Sequence, residues 1–188
     1  MANRGALDDE ALVASRADAE RFEVVFTLRA KEIWRYLAAR LGQSAADELL
    51  SEVFVRAFAA RSRFNPKRGS ARGWLYGIAN NICRERFRGE SQTRLLDLGE
   101  GVARSQAAPD AADRVVDRDT LSHAIDLLPD ERREVVLLIA AFGLSYEEAA
   151  QALAVPVGTV RSRFFRARRQ LRALLHDERR SNNAQSIP

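Results

Sequence analysis

Apolar residues recur at intervals of three and four along most of this chain. An early example is the series Phe22, Val25, Phe26, Ile33, Tyr36, Leu37 and Leu41. This spacing lines one face of an α-helix, whereas a strand would alternate apolar and polar residues. The chain has only 10 glycines and 5 prolines in 188 residues, so little interrupts its helices. The sequence therefore predicts an all-α fold.

The helical pattern breaks in three places. Gly42 ends the first series, and the turn "NPKRGS" at 65–70 separates a helix over 47–64 from another over 71–88. Residues 89–113 have little periodicity and are rich in Gly, Ala, Ser and Gln, which predicts a flexible linker with a short helix near 95–98. Further helices are predicted at about 114–128, 129–142, 145–154 and 157–175. We therefore expect two small helical domains, at 16–92 and 114–176, joined by a linker at 93–113 and followed by a disordered tail at 177–188.

Charge and residue usage exclude several classes of protein. The first 23 residues are mainly acidic, whereas residues 157–176 carry only positive charges, within a net charge of +4. One cysteine, Cys83, and two histidines cannot form a Cys/His zinc site, and no carboxylate cluster or Ser/His/Asp set indicates an enzyme. We expect no cofactor, no metal and no membrane span, and a cytoplasmic location. Cys83 is expected to be a small buried residue, and its redox activity is left open.

Residues 145–172 predict a helix-turn-helix. Ser145 and Glu148 have the spacing of a capping box, Val155 and Pro156 interrupt the first helix, and a basic helix follows. One face of that helix is apolar: Val160, Phe164, Ala167, Leu171 and Leu174. The opposite face is suited to base edges and phosphates: Arg161, Ser162, Phe165, Arg166, Arg169 and Arg172. A solvated basic helix is the plainer alternative, but the turn, the capping box and an exposed Phe165 favour DNA binding.

Two earlier segments carry a further pattern each. "ADELLSEVFVRAF" at 46–58 predicts an amphipathic helix whose acidic side suits either solvent or a basic partner helix. "RFNPKRGSARGWLYGIANNICRERFR" at 63–88 combines a core stripe with rings, amides and arginines beside a basic loop. Bases stack on rings and arginines follow phosphates, so the second segment predicts a single-strand surface. Trp74 itself is expected to belong to the core.

Together these motifs resemble bacterial sigma factors of the extracytoplasmic-function (ECF) group over about residues 22–175, outside the linker. "ADELLSEVFVRAF" resembles region 2.2, which docks on the coiled coil of the polymerase β′ subunit. "FNPKRGSARGWLYGIANN" resembles region 2.3, "ICRERFR" resembles region 2.4, and residues 127–171 are similar to region 4, which reads the −35 element. The order and joint presence of the motifs make the resemblance specific.

The resemblance implies three sets of site residues. The polymerase-binding set is Asp47, Glu48, Ser51 and Glu52. The −10 set is Phe64, Asn65, Lys67, Arg68, Ser70, Tyr76, Asn80 and Arg84. The −35 set is Thr159, Arg161, Ser162, Phe165, Arg166 and Arg169. Two positions depart from the family pattern: Ser51 stands where glutamine is usual, and Ala154 replaces the usual turn glycine.

The resemblance also implies a function and its partners. It predicts a sigma factor that binds core RNA polymerase through the β′ coiled coil and β flap, recognises promoter DNA and promotes its melting. By family analogy, an anti-sigma factor is expected to restrain it. The alternative is a stand-alone helix-turn-helix regulator whose N-terminal domain senses a ligand or partner.

Overall fold

A computed structural model describes the backbone of residues 4–96 and 118–185 and the side chains of 5–89 and 120–175. All regular structure in these ranges is helical, which confirms the predicted all-α fold. The first half, as we call residues 4–96, contains helices α1 (Arg4–Ala14), α2 (Phe22–Leu41), α3 (Gln43–Ala60) and α4 (Ala71–Leu96). The second half, residues 118–185, contains α5 (Arg118–Asp126), α6 (Asp130–Val136), α7 (Tyr146–Leu153) and α8 (Val157–Gln185).

The first half is a bundle built on the hairpin of α2 and α3. Gly42 closes α2 with φ of 89°, a conformation that favours glycine, and its amide donates to the Ala38 carbonyl at 2.9 Å. The two helices then bury facing apolar side chains, among them Ile33 and Val53. The predicted end of the first helical series at Gly42 is therefore confirmed.

The second half contains the predicted helix-turn-helix. Pro129 precedes α6, and a single π-helical turn, Leu137–Ala141, leads from it to Gly143 with φ of 65°. Ser145 and Glu148 form the predicted capping box at the start of α7. Ala154 then adopts the left-handed conformation, φ 54° and ψ 43°, and α8 begins at Val157. The local signals in this part of the sequence thus predicted the turns correctly.

Three segments differ from the predictions. The helix α1 was not predicted, although its buried Ala11 and Leu12 attach it to the first half. Helix α4 continues through Gly89 to Leu96, because one glycine lowers helix stability without ending a helix that good helix formers continue. Helix α8 reaches Gln185, beyond the predicted boundary, because no glycine or proline interrupts the chain between Gly158 and Pro188. The predicted linker beyond residue 96 lies outside the described residues.

The two halves pack against each other through α4 and α7. Gly73, on the first turn of α4, makes this approach possible, since a Cβ there would come within 2.5 Å of the Gln151 side chain and 3.1 Å of the Glu148 carbonyl oxygen. The Phe142 ring lies 5.5 Å from Tyr36 and 6.0 Å from Tyr76, so it reaches into the first half. One continuous set of buried side chains therefore spans both halves.

Candidate nucleic-acid interface

Helix α8 is anchored by its apolar side and presents the opposite side to solvent. Val160 and Ala167 are fully buried, and Phe164 packs against Tyr146 of α7 with ring centroids 6.0 Å apart. On the other side, Phe165 is 70% exposed, which is unusual for a large aromatic side chain. We call this exposed side the reading face; its members are Arg161, Ser162, Phe165, Arg166 and Arg169. The predicted division of α8 into two faces is confirmed.

The arginines of α8 fall into two groups. Arg163 is bound internally, with a guanidinium nitrogen 2.8 Å from a Glu131 carboxylate oxygen, and Arg168 lies 5.9 Å from the Phe164 ring. Arg166 and Arg169 are exposed and form no ion pair within the described part of the chain. Arg161 lies 3.7 Å from Glu147, with both side chains largely exposed, so that contact is weak and easily exchanged. The reading face thus carries cations available to an anionic partner.

Two of the predicted residues, Thr159 and Ser162, form hydrogen bonds within the first turns of α8. Thr159 is partly buried, its amide donates to the Pro156 carbonyl at 2.9 Å, and its own carbonyl accepts from the Ser162 hydroxyl at 3.0 Å. The first of these bonds satisfies an amide of the first helical turn that has no acceptor within the helix. Ser162 therefore reaches the solvent from a position that the backbone fixes.

The predicted polymerase-binding residues share one outer surface of α3. Glu48 and Ser51 are exposed, and Glu52 pairs with Arg56, which also contacts Glu85 at 2.8 Å. Asp47 turns aside and accepts a hydrogen bond from the Trp34 indole at 2.8 Å.

Val55, one helical turn beyond Ser51, is 67% exposed and was not predicted. Its signal was available: an apolar residue in register with the acidic side rather than with the core stripe. We call Glu48, Ser51, Glu52 and Val55 the docking face.

The loop over residues 64–70, which we call the −10 loop, has fixed ends and an exposed tip. Phe64 is buried with its ring 5.6 Å from that of Trp74. Asn65 folds the tip, because its side chain accepts from the Lys67 amide at 3.0 Å and its carbonyl accepts from the Arg68 amide at 2.9 Å. Lys67 and Arg68 point outward, without an ion pair among the described residues.

The rest of the predicted −10 set lies on the side of α4 that meets the second half. Tyr76 and Asn80 are fully buried, and Phe142 packs beside Tyr76. The Tyr76 hydroxyl donates to the Glu32 carboxylate at 3.1 Å. The side-chain oxygen of Asn80, Oδ1, accepts from the Tyr36 hydroxyl at 3.0 Å. The Asn80 amide nitrogen has no hydrogen-bond partner among the described residues. In this arrangement neither side chain is accessible to DNA.

Hydrogen bonds and ion pairs also join the two halves, both at the edge of their contact and at its centre. At the edge, the Ser70 hydroxyl donates to Glu148 at 2.9 Å, and its amide donates to Gln151 at 3.1 Å. At the centre, the buried Glu134 carboxylate accepts from Arg84 at 2.8 Å and from Arg40 at 3.2 Å. A buried carboxylate requires such partners, so Glu134 ties its position in α6 to both α2 and α4.

Arg72 joins the second half to a charged cluster of the first. Its guanidinium donates to the Phe142 carbonyl at 2.5 Å and the Gly143 carbonyl at 3.0 Å, and it also bonds Glu32. Burial alone would raise the pKa of Glu32, but hydrogen bonds from Arg72 and Arg29 outweigh it and lower the pKa. Glu32 therefore stays ionised at neutral pH and holds Arg72 against the second half. Neither Arg72 nor Glu134 was predicted to join the two halves.

Cys83 lies on the same side of α4 as Asn80 and is fully buried. Burial raises the pKa of its thiol to about 12, while the nearby charge of Arg40 lowers this pKa and that of Glu134 raises it. A thiol in this state is almost entirely protonated near pH 7 and reacts slowly. The expectation that Cys83 is a small buried residue is confirmed.

Comparison with known proteins decides the family. Residues 26–93 match the family model for Sigma-70 region 2, and residues 118–171 match that for Sigma-70, region 4. The chain is 33% identical over 176 residues to the ECF RNA polymerase sigma factor SigC of Mycobacterium tuberculosis, covering 89% of this chain and 93% of that protein. This chain belongs to the ECF group of the sigma-70 family. It is an alternative sigma factor of transcription initiation.

Solved structures agree with this assignment. The sigma factor RpoE of Bartonella quintana, in complex with the anti-sigma factor NepR, matches with a TM-score of 0.69 and 26% identity, covering 82% of this chain and 96% of that one. CnrH, solved in complex with the cytosolic domain of CnrY, matches with a TM-score of 0.65 and 25% identity over 90% of this chain and 98% of that one. The arrangement of regions 2 and 4 is thus shared with sigma factors of known structure.

The family assignment decides between the two predicted functions. The N-terminal part matches a sigma region rather than a sensing domain, so the stand-alone regulator is not supported. Sigma factors direct polymerase and catalyse no reaction themselves, which confirms that the chain is not an enzyme. In the described ranges, no helix is long and apolar enough to cross a membrane, and no group of His, Cys, Asp and Glu suited to a metal ion occurs.

Proposed function

We propose that the reading face of α8 recognises the −35 promoter element. The observation that carries this proposal is an exposed basic and aromatic surface on the second helix of a helix-turn-helix, with Phe165 70% exposed. Arg161 and Arg166 have the forked donors that pair with guanine edges, and Phe165 suits a thymine methyl group. Thr159 and Arg169 lie at the two ends of this face, where phosphate contacts would set its register.

The −10 element is assigned to the −10 loop and to the adjacent side of α4. Lys67 and Arg68 supply cations at an exposed tip, and Asn65 supports the turn that carries them. The unpartnered amide nitrogen of Asn80 supports its role in holding an extruded base, because a buried donor without a partner would gain a hydrogen bond by donating to an acceptor atom of that base. Tyr76 and Arg84 lie on the same side, as a ring and a cation that suit single-stranded DNA.

This assignment requires the two halves to separate before the −10 element binds. Phe142 and α7 cover Tyr76 and Asn80, whereas the reading face is already exposed. Promoter DNA would hold the open form, because its −10 element would bind side chains that are accessible only there. The residues between the halves, 97–117, provide enough chain to allow such a separation.

Core RNA polymerase is assigned to the docking face. Glu48 and Glu52 supply negative charge around the apolar Val55, a combination that suits a basic and apolar partner helix such as the β′ coiled coil. The second half would contact the β flap, as in other sigma factors of this group. All these partners place the protein in the cytoplasm.

An anti-sigma factor is proposed as the restraining partner. The support is that structurally similar sigma factors were solved with such partners: RpoE of Bartonella quintana is bound to the anti-sigma factor NepR. A partner that binds the closed arrangement more tightly than the open one would withhold the −10 surface.

Transcription from purified components tests the proposed surfaces. We expect promoter-dependent run-off products with core polymerase, and loss of core binding for Glu48→Arg because it reverses the charge at the docking face. Glu23→Arg, an equal charge change at an exposed site on α2, is the matched control and should bind core normally. Equal core affinity for Glu48→Arg and the control would remove the docking face from the proposal.

A further inference from the structure

Helix α1 lies outside the residues that match the region 2 family model, yet it is an integrated part of the first half. The match begins at residue 26, whereas α1 covers Arg4–Ala14. Leu12 is fully buried, and Asp8 is buried with its carboxylate 2.5 Å from the Arg29 guanidinium. Part of the acidic start of the chain is therefore bound within the protein and does not face solvent.

The segment over residues 9–16 contacts both ends of the −10 loop. At the first end, the Arg16 guanidinium donates to the Phe64 carbonyl oxygen. At the other end, the Ala71 amide donates to the Asp9 carboxylate at 2.5 Å. A third bond runs from the Arg61 guanidinium to the Ser15 carbonyl at 3.0 Å, just before the loop. No other helix of the first half is recorded as bonding both ends of this loop in the described residues.

These bonds satisfy backbone groups that the loop cannot satisfy itself. The Ala71 amide is the first of α4 and has no acceptor within the helix. Ser70 does not supply one, because its hydroxyl accepts from the Gly73 amide at 3.0 Å. Asp9 therefore completes the start of α4 from another helix. Asp9 is partly buried; this burial raises the pKa of its carboxyl group, and the bond from the Ala71 amide only partly offsets the effect.

Fixing both ends matters because the tip of the loop has few constraints of its own. Residues 65–68 are all exposed, and the recorded bonds within them are those made to Asn65. A short loop whose ends are held samples fewer conformations, so its exposed side chains lose less entropy when they bind. Side chains that recognise a ligand need neighbouring residues that hold them in the binding geometry.

We propose that Asp9 and Arg16 are positioning residues for promoter recognition: they hold the −10 loop in the conformation that discriminates bases. This inference rests on the proposed function of that loop. It adds a role for a segment that precedes the family's region 2 and does not itself touch DNA.

The test compares base discrimination in variants of the full chain assembled with core polymerase. The probe is a fluorescent single strand carrying the −10 segment of a promoter that this holoenzyme transcribes, beside the same strand with one base replaced. We expect Asp9→Ala and Arg16→Ala to reduce the ratio of the two affinities by about three- to tenfold, as expected for loss of a bond that holds the reader. Asp9→Asn keeps an acceptor for the Ala71 amide and should restore most of the ratio.

Two controls separate positioning from folding. Glu10→Ala removes a neighbouring exposed carboxylate from the same helix and should leave the ratio unchanged. Binding of a −35 duplex and of core polymerase should stay normal in every variant. If Asp9→Ala does not fold, Arg16→Ala decides, since Arg16 is exposed.

The outcomes also separate this inference from the proposed function. Weaker binding of both strands in a variant carrying Lys67→Ala and Arg68→Ala, with an unchanged ratio in Asp9→Ala and Arg16→Ala, would overturn the inference alone. Unchanged single-strand affinity in the loop variant as well would overturn both the assignment of the loop and the inference that rests on it.

Discussion

The two surfaces assigned to promoter DNA differ in their accessibility. The reading face of α8 is exposed, with Phe165 at 70%, whereas Tyr76 and Asn80 on α4 are fully buried and Phe142 of the second half packs beside Tyr76. Helix α8 packs against the rest of the protein on one side, whereas α4 packs on two sides. One side of α4 builds the core of the first half, and the other meets α7 and Phe142. Accessibility thus distinguishes the −35 surface from the −10 surface.

The physical chemistry of the two surfaces differs in the same way. The cations of the reading face have few internal partners, so DNA phosphates would meet little competition there. Arg84 and Arg72, by contrast, are bound to Glu134 and to Glu32 and Glu148. DNA binding at α4 must replace those partners. We therefore expect the free protein to bind −35 DNA readily and −10 DNA weakly.

The largest expected effect comes from removing Glu134. In Glu134→Ala, Arg40 would remain buried without its carboxylate partner, which shifts the balance toward separated halves by about 3 kcal/mol. Single-strand −10 binding by the free chain should then increase. Energy transfer between dyes placed on the two halves measures the separation directly.

The matched control for that variant is Glu131→Ala. It removes the same charge from the same helix, but Glu131 is largely exposed and its partner Arg163 also lies in the second half. Energy transfer should stay as in the unaltered protein. If Glu134→Ala behaves like this control, the carboxylate does not hold the halves together.

The next effect isolates the exposed surface. Arg166→Ala should weaken −35 duplex binding by about 1–3 kcal/mol, if its guanidinium pairs with a base edge, and should relax the preference at that base pair. The effect should appear even in the closed protein, because the reading face is already accessible. Fluorescence anisotropy with matched and substituted duplexes provides the measurement.

Arg168→Ala removes the same charge from the side of α8 that contacts Phe164 and serves as the comparison. It should lower affinity for all sequences alike. A uniform loss in both variants would assign Arg166 to phosphate contacts instead.

The smallest effect concerns the turn that orients α8. Ala154 has φ of 54°, which strains any residue except glycine. Ala154→Gly relieves this strain but adds freedom to the unfolded chain, so we expect a net stabilisation of about 1 kcal/mol. Denaturant unfolding of the full chain measures it. A lower stability would mean that the turn tolerates alanine without strain.

Much of the second half could be predicted because its signals are local. The spacing of Ser145 and Glu148 fixes the start of α7, and Val160 and Ala167 repeat at the helical period. The sequence also marked Ala154 as a replacement for the usual turn glycine, and its φ is positive. Each of these features is decided within one or two helical turns, where propensity and periodicity act.

The contact between the halves could not be predicted in the same way, because it joins residues far apart in sequence. Tyr76 and Asn80 carry polar groups that can form hydrogen bonds either with DNA or within the protein interior, so residue type alone did not distinguish the two locations. Glu134 resembled any acidic residue of an exposed helix. One signal was available: Gly73 and Gly77, spaced by one turn inside a helix, indicate close approach of another backbone.

The N-terminal helix escaped prediction for a related reason. Its acidic residues gave no sign of partners within the chain, whereas Asp8 and Asp9 are bound by Arg29 and by the start of α4. Charge composition does not reveal whether a partner exists within the chain. Only the tertiary structure assigns these carboxylates to internal positions.

Thiol labelling at Cys83 tests most directly whether the second half covers the −10 side of α4. The chain has no other cysteine, and a pKa of about 12 leaves roughly a thousandfold less thiolate near pH 7.5 than an exposed thiol has. We expect slow labelling in the unaltered protein and in Glu131→Ala, and much faster labelling in Gly73→Leu at unchanged helix content, because the added side chain would push α7 away from α4 without removing a charge beside Cys83. Rapid labelling of the unaltered folded protein, or equal rates in Gly73→Leu and Glu131→Ala, would contradict the account.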